Sequence, residues 1–197
     1  MNILDIFENL FLKPKPVRIE VKPIVLPLKP KPIEPELNSK DIAKIKLLYP
    51  RIQSNATKFL IDVKKAGYNG GIFMSYRTFA EQDALYAQGR TKPGQIVTNA
   101  RGGWSLHNYG LAIDFVFHDK NDNWTWDSNL WKQVGQIGIN NGWESGYYWT
   151  SFPDKPHFQI TFKPKNFTDI QWLEKLRTTY LKNNKIQDVW SFLDTLK

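Results

Sequence analysis

Three polar residues in two short segments could together hold a catalytic metal ion. His107 and Asp114 lie seven positions apart in SLHNYGLAIDF, and His157 lies in FPDKPHFQI. Asp114 interrupts an apolar run, where a carboxylate is costly to bury unless it is paired or bound to a metal. Two neutral imidazoles and one carboxylate suit a tetrahedral zinc ion with one open position for water. We therefore predict a Zn²⁺ site with His107, Asp114 and His157 as its ligands.

A further carboxylate is available for proton transfer. Asp154 stands three residues before His157, between Pro153 and Pro156. Zinc lowers the pKa of a water bound to it to about 7. A carboxylate outside the coordination shell can then act as a general base. We predict that Asp154 is this base; a purely turn-forming aspartate is the alternative.

The composition excludes several kinds of site and partner. The chain has no cysteine, which rules out disulfides, iron–sulfur clusters and thiolate zinc sites. Its net charge of +8 favours polyanions such as nucleic acid, anionic lipid or acidic cell-wall polymers, although a merely soluble basic protein is equally compatible. No recognised nucleic-acid motif is present, so no specific nucleic-acid partner is predicted. No apolar run approaches the roughly 20 residues of a membrane span.

The N-terminal segment differs from the rest of the chain. Residues 1–12 form a short amphipathic pattern, and residues 13–36 contain seven of the 12 prolines, which predicts an extended linker. The start carries Asp5 and Glu8 and lacks a basic region, so no secretory signal peptide is predicted. A globular domain is expected over residues 37–167.

The rest of the chain predicts an α+β fold. Helices are expected from an N-cap at Ser39 to about Leu48, from Ile52 to Gly67, over 80–88, and from a cap at Asp127 or Ser128 to near Gly142. Strands are expected over 71–76, 111–117, 143–149 and 157–162, and two closing helices over 168–197, packed on the domain as a C-terminal extension. This order favours a small, mainly antiparallel sheet flanked by helices, with an extended N-terminal arm.

Two side-chain positions follow from this pattern. Alternation along 111–117 places Asp114 on the sheet face opposite Ile113 and Phe115. Asp114 could therefore point into a cleft. His118 lies beside the turn sequence HDKNDN and is expected to be exposed.

The motifs together resemble a known family. The pattern S-x-H-x-x-G-x-A-x-D, followed by D-x-P-H-F and preceded by Y-R-T, is similar to metallopeptidases that cut bacterial cell-wall peptides. These are D-alanyl-D-alanine carboxypeptidases and dipeptidases, and L-alanyl-D-glutamate endopeptidases of phage and bacterial lysins. The resemblance covers roughly residues 40–163. It implies a hedgehog-like D-alanyl-D-alanine metallopeptidase fold, a zinc cofactor and peptidoglycan as substrate.

The same resemblance implies residue roles. His107, Asp114 and His157 match the zinc ligands, and Asp154 matches the catalytic carboxylate. Arg77 matches an arginine that binds the substrate carbonyl and steadies the oxyanion, for which a fixed guanidinium is well suited. The remaining matched residue is Ser105, whose implied role is hydrogen bonding to the substrate or to its own loop.

The endopeptidase branch is the closer resemblance. Residues 79–90 and the tryptophan-rich stretch 143–154 are similar to that branch, but the usual E-W-G-G is replaced by E-S-G-Y over 144–147. This departure concerns the wall of the substrate pocket. We expect cleavage of the stem peptide, at the L-Ala–D-Glu bond; D-Ala-D-Ala carboxypeptidase activity, or a non-catalytic wall-binding or structural virion module, are the alternatives.

The N-terminal arm bears on the biological context. Without a signal peptide, a lysin would act from the host cytoplasm with release to the cell wall, or be carried on a phage virion. A stiff proline-rich spacer with an apolar tip suits tethering, so residues 1–36 are expected to contact phage structural proteins. An anchor on the inner membrane surface is also compatible.

Overall fold

The computed structural model describes residues 35–196. The helix expected over 1–12 and nearly all of the linker expected over 13–36 lie outside the described residues. No helix within 35–196 is long and apolar enough to cross a membrane.

Six α-helices and three short 3₁₀ turns lie in the described residues. The helices are α1 (Ser39–Ile45), α2 (Gln53–Lys65), α3 (Phe79–Ala87), α4 (Trp131–Asn140), α5 (Asp169–Leu181) and α6 (Ile186–Asp194). The 3₁₀ turns are Pro50–Ile52, Leu106–Tyr109 and Gly146–Tyr148.

The five strands of the described region form one antiparallel sheet. They are β1 (Gly70–Met74), β2 (Ala112–His118), β3 (Trp124–Thr125), β4 (Glu144–Ser145) and β5 (His157–Gln159). The order is β1-β2-β5-β4, and β3 pairs with the end of β2. The expected α+β class, with a small antiparallel sheet flanked by helices, is confirmed.

Strand β2 is the element that organises the molecule. Its residues Ile113, Phe115 and Phe117 are buried in the hydrophobic core. Asp114 lies on the opposite face, and the register of the sheet sets it directly across from His157 of β5. Because cross-strand partners share a face, the two side chains must meet.

The helices cover the core face of the sheet. Helix α2 buries Ala56, Phe59, Leu60 and Val63, and the ring of Phe59 meets that of Phe115 edge to face at 5.7 Å. The closing helices α5 and α6 contribute to the same core through Trp172, Leu176, Val189 and Leu193.

Helix α6 also supports the 3₁₀ turn over Leu106–Tyr109. The indole N–H of Trp190 donates to the carbonyl of Tyr109 at 2.9 Å. Helix α6 therefore braces a segment that carries one of the predicted metal ligands.

Two helix starts differ from expectation. Helix α1 is capped by Asn38 rather than Ser39, because the Asn38 side chain accepts from the backbone N–H of Asp41 at 2.8 Å. Helix α4 begins at Trp131 rather than next to Asp127 or Ser128. The Ser128 hydroxyl instead accepts from the N–H of Leu130 in the turn before the helix.

The strand expected over 143–149 is wrong for most of its length. Only Glu144 and Ser145 are extended, and the chain then enters the 3₁₀ turn at Gly146. The Gly146 carbonyl accepts from the N–H groups of both Trp149 and Asp154, at 3.2 and 2.9 Å, which bends the chain away from the sheet.

Two further features of the sheet's edge differ from the sequence interpretation. Strand β3 directly follows the expected turn HDKNDN, at positions where no strand was predicted. The prediction that His118 is exposed is wrong, since its side chain is 15% exposed and its Nδ1 lies 2.9 Å from the Asp122 carboxylate.

Candidate metal centre

Three side chains bring their donor atoms together at the end of the sheet. His107 Nε2 lies 3.2 Å from Asp114 Oδ1 and 3.3 Å from His157 Nδ1. His157 Nδ1 lies 3.3 Å from the same Asp114 oxygen. Metal–ligand distances of roughly 2.0–2.1 Å at a tetrahedral ion place the ligand atoms about 3.3 Å apart. The donor set and its spacing therefore fit a tetrahedral divalent ion.

His107 is positioned by the 3₁₀ turn that carries it. The Ser105 hydroxyl accepts from the His107 N–H at 3.4 Å, which caps the turn, and Gly110 ends it in the left-handed conformation. His107 Nδ1 lies 2.7 Å from the carbonyl oxygen of Ser75. That carbonyl can only accept, so the proton sits on Nδ1 and the lone pair of Nε2 faces the site.

His157 is held by a hydrogen-bond chain on the other side. Its Nε2 lies 3.1 Å from Gln159 Oε1, and Gln159 Nε2 donates to the carboxylate of Glu144 at 2.9 Å. The indole N–H of Trp149 donates to the same carboxylate. Since the Gln159 oxygen accepts from Nε2–H, His157 presents the lone pair of Nδ1 to the site.

The electrostatics of the cluster favour a bound cation. Burial opposes ionisation of Asp114, but the imidazoles of His107 and His157 outweigh it and hold the pKa of that carboxyl well below its usual range. Burial likewise opposes protonation of His157, yet its hydrogen bond to the Asp114 carboxylate raises its pKa. The cluster thus keeps a negative carboxylate that attracts positive charge.

Arg77 lies on the far side of Asp114. Its Nη2 is 3.4 Å from Asp114 Oδ2, its Nη1 donates to Gln82 Oε1 at 2.9 Å, and its backbone N–H donates to the His107 carbonyl at 3.0 Å. Burial lowers the pKa of Arg77 and the Asp114 carboxylate opposes this. A guanidinium stays protonated in proteins, so a fixed positive charge borders the site.

Asp154 lies in the loop that leads into β5. Its carbonyl accepts from the N–H of His157 at 3.1 Å. Asp154 is exposed to solvent as a whole residue, yet partial burial of its carboxyl raises the pKa of that group. The charge of His157 opposes this shift, and the charge of Asp114 adds to it. A Cβ at position 146 would lie 2.4 Å from the Asp154 carbonyl oxygen, so this loop geometry requires Gly146.

The region that carries this site is similar to known proteins. A family model described as D-alanyl-D-alanine carboxypeptidase matches residues 98–160. The peptidoglycan L-alanyl-D-glutamate endopeptidase CwlK of Bacillus subtilis (strain 168) is 41% identical over 122 residues, covering 57% of this chain and 73% of CwlK. The chain belongs to the same family of metallopeptidases as CwlK. The crystal structure of the L-Ala D-Glu endopeptidase ChiX of Serratia marcescens matches with a TM-score of 0.48 and 18% identity, covering 66% of this chain and 92% of ChiX.

A cleft of about 800 Å³ opens beside the metallopeptidase site and is lined in part by His157 and Ser105. Within the tryptophan-rich stretch, its wall is formed by Glu144 and by residues 148–152. Ser145 is buried away from solvent. The substitution at position 145 of the usual E-W-G-G therefore falls behind the cleft wall.

The residues that hold the three predicted ligands were not identified from the sequence. Ser75 and Gln159 contact His107 and His157 through hydrogen bonds, and Gln82 contacts Arg77. Glu144 acts one step further away, by accepting from Gln159. Only Gln159 carried a local signal, because it lies two residues beyond His157 and so on the same face of a strand.

Proposed function

We propose that this metallopeptidase is a zinc-dependent peptidoglycan endopeptidase that hydrolyses the L-alanyl–D-glutamate bond of the stem peptide. The observation that carries the proposal is the adjacency of a three-donor metal site to the carboxylate of Asp154, which interacts electrostatically with all three predicted ligands. Identity of 41% to CwlK, an enzyme named for this bond, supports the same substrate.

Zinc is the metal we propose for the site. His107, Asp114 and His157 would hold it through two nitrogens and one oxygen, a donor set typical of catalytic zinc, and the chain has no cysteine to form a closed thiolate site. When bound, the ion supplies Lewis acidity that activates a water and polarises the scissile carbonyl.

Asp154 transfers the proton in the proposed reaction, and Arg77 stabilises the developing charge. A carboxylate oxygen of Asp154 takes the proton from the attacking water and delivers it to the leaving amine nitrogen. The guanidinium of Arg77 stabilises the negative charge that develops on the carbonyl oxygen of the substrate.

The direct test uses purified, uncross-linked stem peptides with the zinc-loaded protein. Mass spectrometry of the products should show a new N-terminal D-glutamate. The description of the matching family model favours a second function, D-Ala-D-Ala carboxypeptidase activity, which would release terminal D-alanine instead. Normal zinc binding without any cleavage would contradict both and favour a wall-binding or structural module.

We further propose a role in phage lysis or penetration, with residues 1–36 as a tether to the virion. The seven prolines between Pro14 and Pro35 support a stiff spacer, and the +8 charge supports attraction to acidic wall polymers. Deleting residues 1–36 should abolish association with phage particles without reducing peptidase activity. Unchanged association after the deletion would contradict the tether.

A further inference from the structure

The cleft extends well beyond the metal site. His157, Gln159, Thr161 and Lys163 all line it, so alternate side chains of one segment form its floor. An extended chain rises about 3.3 Å per residue, and six steps cover at most about 20 Å. The cleft thus has the length to hold several residues of a peptide substrate.

An ion pair stands at the far end of this floor. Lys163 Nζ lies 2.7 Å from the carboxylate of Asp169, the first residue of α5, and Leu173 of the same helix also lines the cleft. The Lys163 side chain is 27% exposed and that of Asp169 is 87% exposed, so both charges are accessible to a ligand. Both residues lie beyond the region 98–160 matched by the family model.

We propose that Lys163 and Asp169 form a specificity subsite for a group that carries an ammonium and a carboxylate on the same carbon. Such a group is the free end of a diaminodicarboxylic residue in the stem peptide. The proposal rests on the proposed function, since it assumes a stem peptide in the cleft.

The pairing of charges decides which ligand fits. A lone carboxylate would be attracted by Lys163 but repelled by Asp169. A lone ammonium would be attracted by Asp169 but repelled by Lys163, so a ligand group with a single charge gains little binding free energy. A zwitterionic carbon presents the opposite charge to each partner and gains from both. A γ-linked D-glutamate followed by a residue with a long side chain extends away from the scissile bond along the cleft floor. With the scissile bond at the metal site, the zwitterionic end lies towards Lys163 and Asp169.

Three uncross-linked stem peptides test this subsite. They carry meso-diaminopimelate, the same residue with its free carboxylate amidated, or L-lysine, which has the ammonium alone. Because exposed ion pairs are individually weak, we expect kcat/KM for the free meso-diaminopimelate peptide to exceed the others by roughly 3- to 10-fold. The difference should lie mainly in KM.

Two conservative variants identify the residues responsible. Lys163→Met and Asp169→Asn should each abolish the preference while leaving cleavage of the L-lysine peptide within about twofold, consistent with the weakness of exposed pairs. The control is Lys58→Met, which removes the exposed Lys58–Asp62 pair on α2, outside the cleft, and should retain the preference. Melting temperature and zinc content confirm that each variant is folded and loaded.

The outcomes separate this proposal from the proposed function. Equal rates on all three peptides with the unaltered protein, or a preference that survives in both variants, would overturn the subsite and leave the endopeptidase intact. Absence of cleavage of every peptide would overturn the endopeptidase. Calorimetric affinities of the Asp154→Asn protein for the same peptides then decide the subsite independently, and equal affinities overturn it.

Discussion

Asp114 divides its two carboxylate oxygens between the predicted metal site and Arg77. Oδ1 lies within 3.3 Å of donor nitrogens of both histidines, and Oδ2 lies 3.4 Å from the guanidinium. Arg77 thereby fixes the orientation of a predicted ligand while its positive charge borders the space above it. One residue can serve both the geometry of the site and the stabilisation of a developing negative charge.

Removal of this guanidinium should reduce catalysis strongly. Arg77→Ala is expected to lower kcat by about 100- to 1,000-fold, the usual cost of losing an oxyanion donor, and to weaken zinc binding because Asp114 is no longer held. Arg77→Lys keeps the charge without the planar fork and should give an intermediate loss. Arg101→Ala, an exposed arginine without contact to the metal ligands, is the control; equal kcat in the Arg77 and Arg101 variants would contradict the role.

The hydrogen-bond chain behind His157 makes a second prediction. Gln159→Ala leaves Nε2 of His157 without its acceptor and should weaken zinc binding by about 10- to 100-fold, as is typical when a ligand loses its supporting partner. Competition with a chelator measures this affinity directly. The control is Thr161→Ala, which alters the next side chain along the cleft floor and should leave zinc affinity unchanged. An unaltered zinc affinity in Gln159→Ala would show that Gln159 does not support His157 as a ligand.

Gly146 should matter for catalysis and not for metal binding. A methyl group there would lie 2.4 Å from the carbonyl oxygen of Asp154, so the loop must move and carry the carboxylate with it. Gly146→Ala should therefore lower kcat while zinc affinity stays near normal. When Gly146→Ala is combined with Asp154→Asn, kcat should fall little further than in Asp154→Asn alone, because both changes act on the same carboxyl group. Fully additive losses would show that Gly146 acts elsewhere.

Metal binding should stabilise the folded protein measurably. Zinc at about 100 times its dissociation constant contributes about 2.7 kcal/mol, or a rise in Tm of roughly 5–10 °C for a chain of this size. Differential scanning fluorimetry with and without a chelator measures the shift. His107→Ala should lose it and His118→Ala should keep it, since His118 pairs with Asp122 away from the site. A full shift in His107→Ala would contradict the predicted ligand set.

The sequence predicted the main framework because its signals were local. The alternation of residue types along β2 identified the face of Asp114, and apolar periodicity located α2 within one residue at its start. The stretch 143–149 failed because its aromatic residues favour a strand, whereas the Gly146 carbonyl accepts two N–H groups and forms a turn. Hydrogen bonds between distant residues leave no such pattern.

The difference between local signals and contacts of distant residues also applies to the candidate metal site. Residue types and motif spacing suggested His107, Asp114 and His157, and the register of β2 against β5 then sets Asp114 opposite His157. The contacts of Ser75 with His107 and of Glu144 with Gln159 join segments 32 and 15 residues apart. Nothing in either segment alone indicated a role, since only the folded sheet brings them together.

The proposed proton transfer by Asp154 at a zinc site can be tested by one comparison of two proteins. Purified cell wall is digested with the zinc-loaded protein and with Asp154→Asn, and the release of fragments beginning with D-glutamate is followed by mass spectrometry alongside zinc content. We predict equal zinc content and a fall in release rate of about 100- to 10,000-fold in the variant. If the Asp154→Asn protein binds zinc and releases the same fragments at the same rate, Asp154 does not transfer the proton.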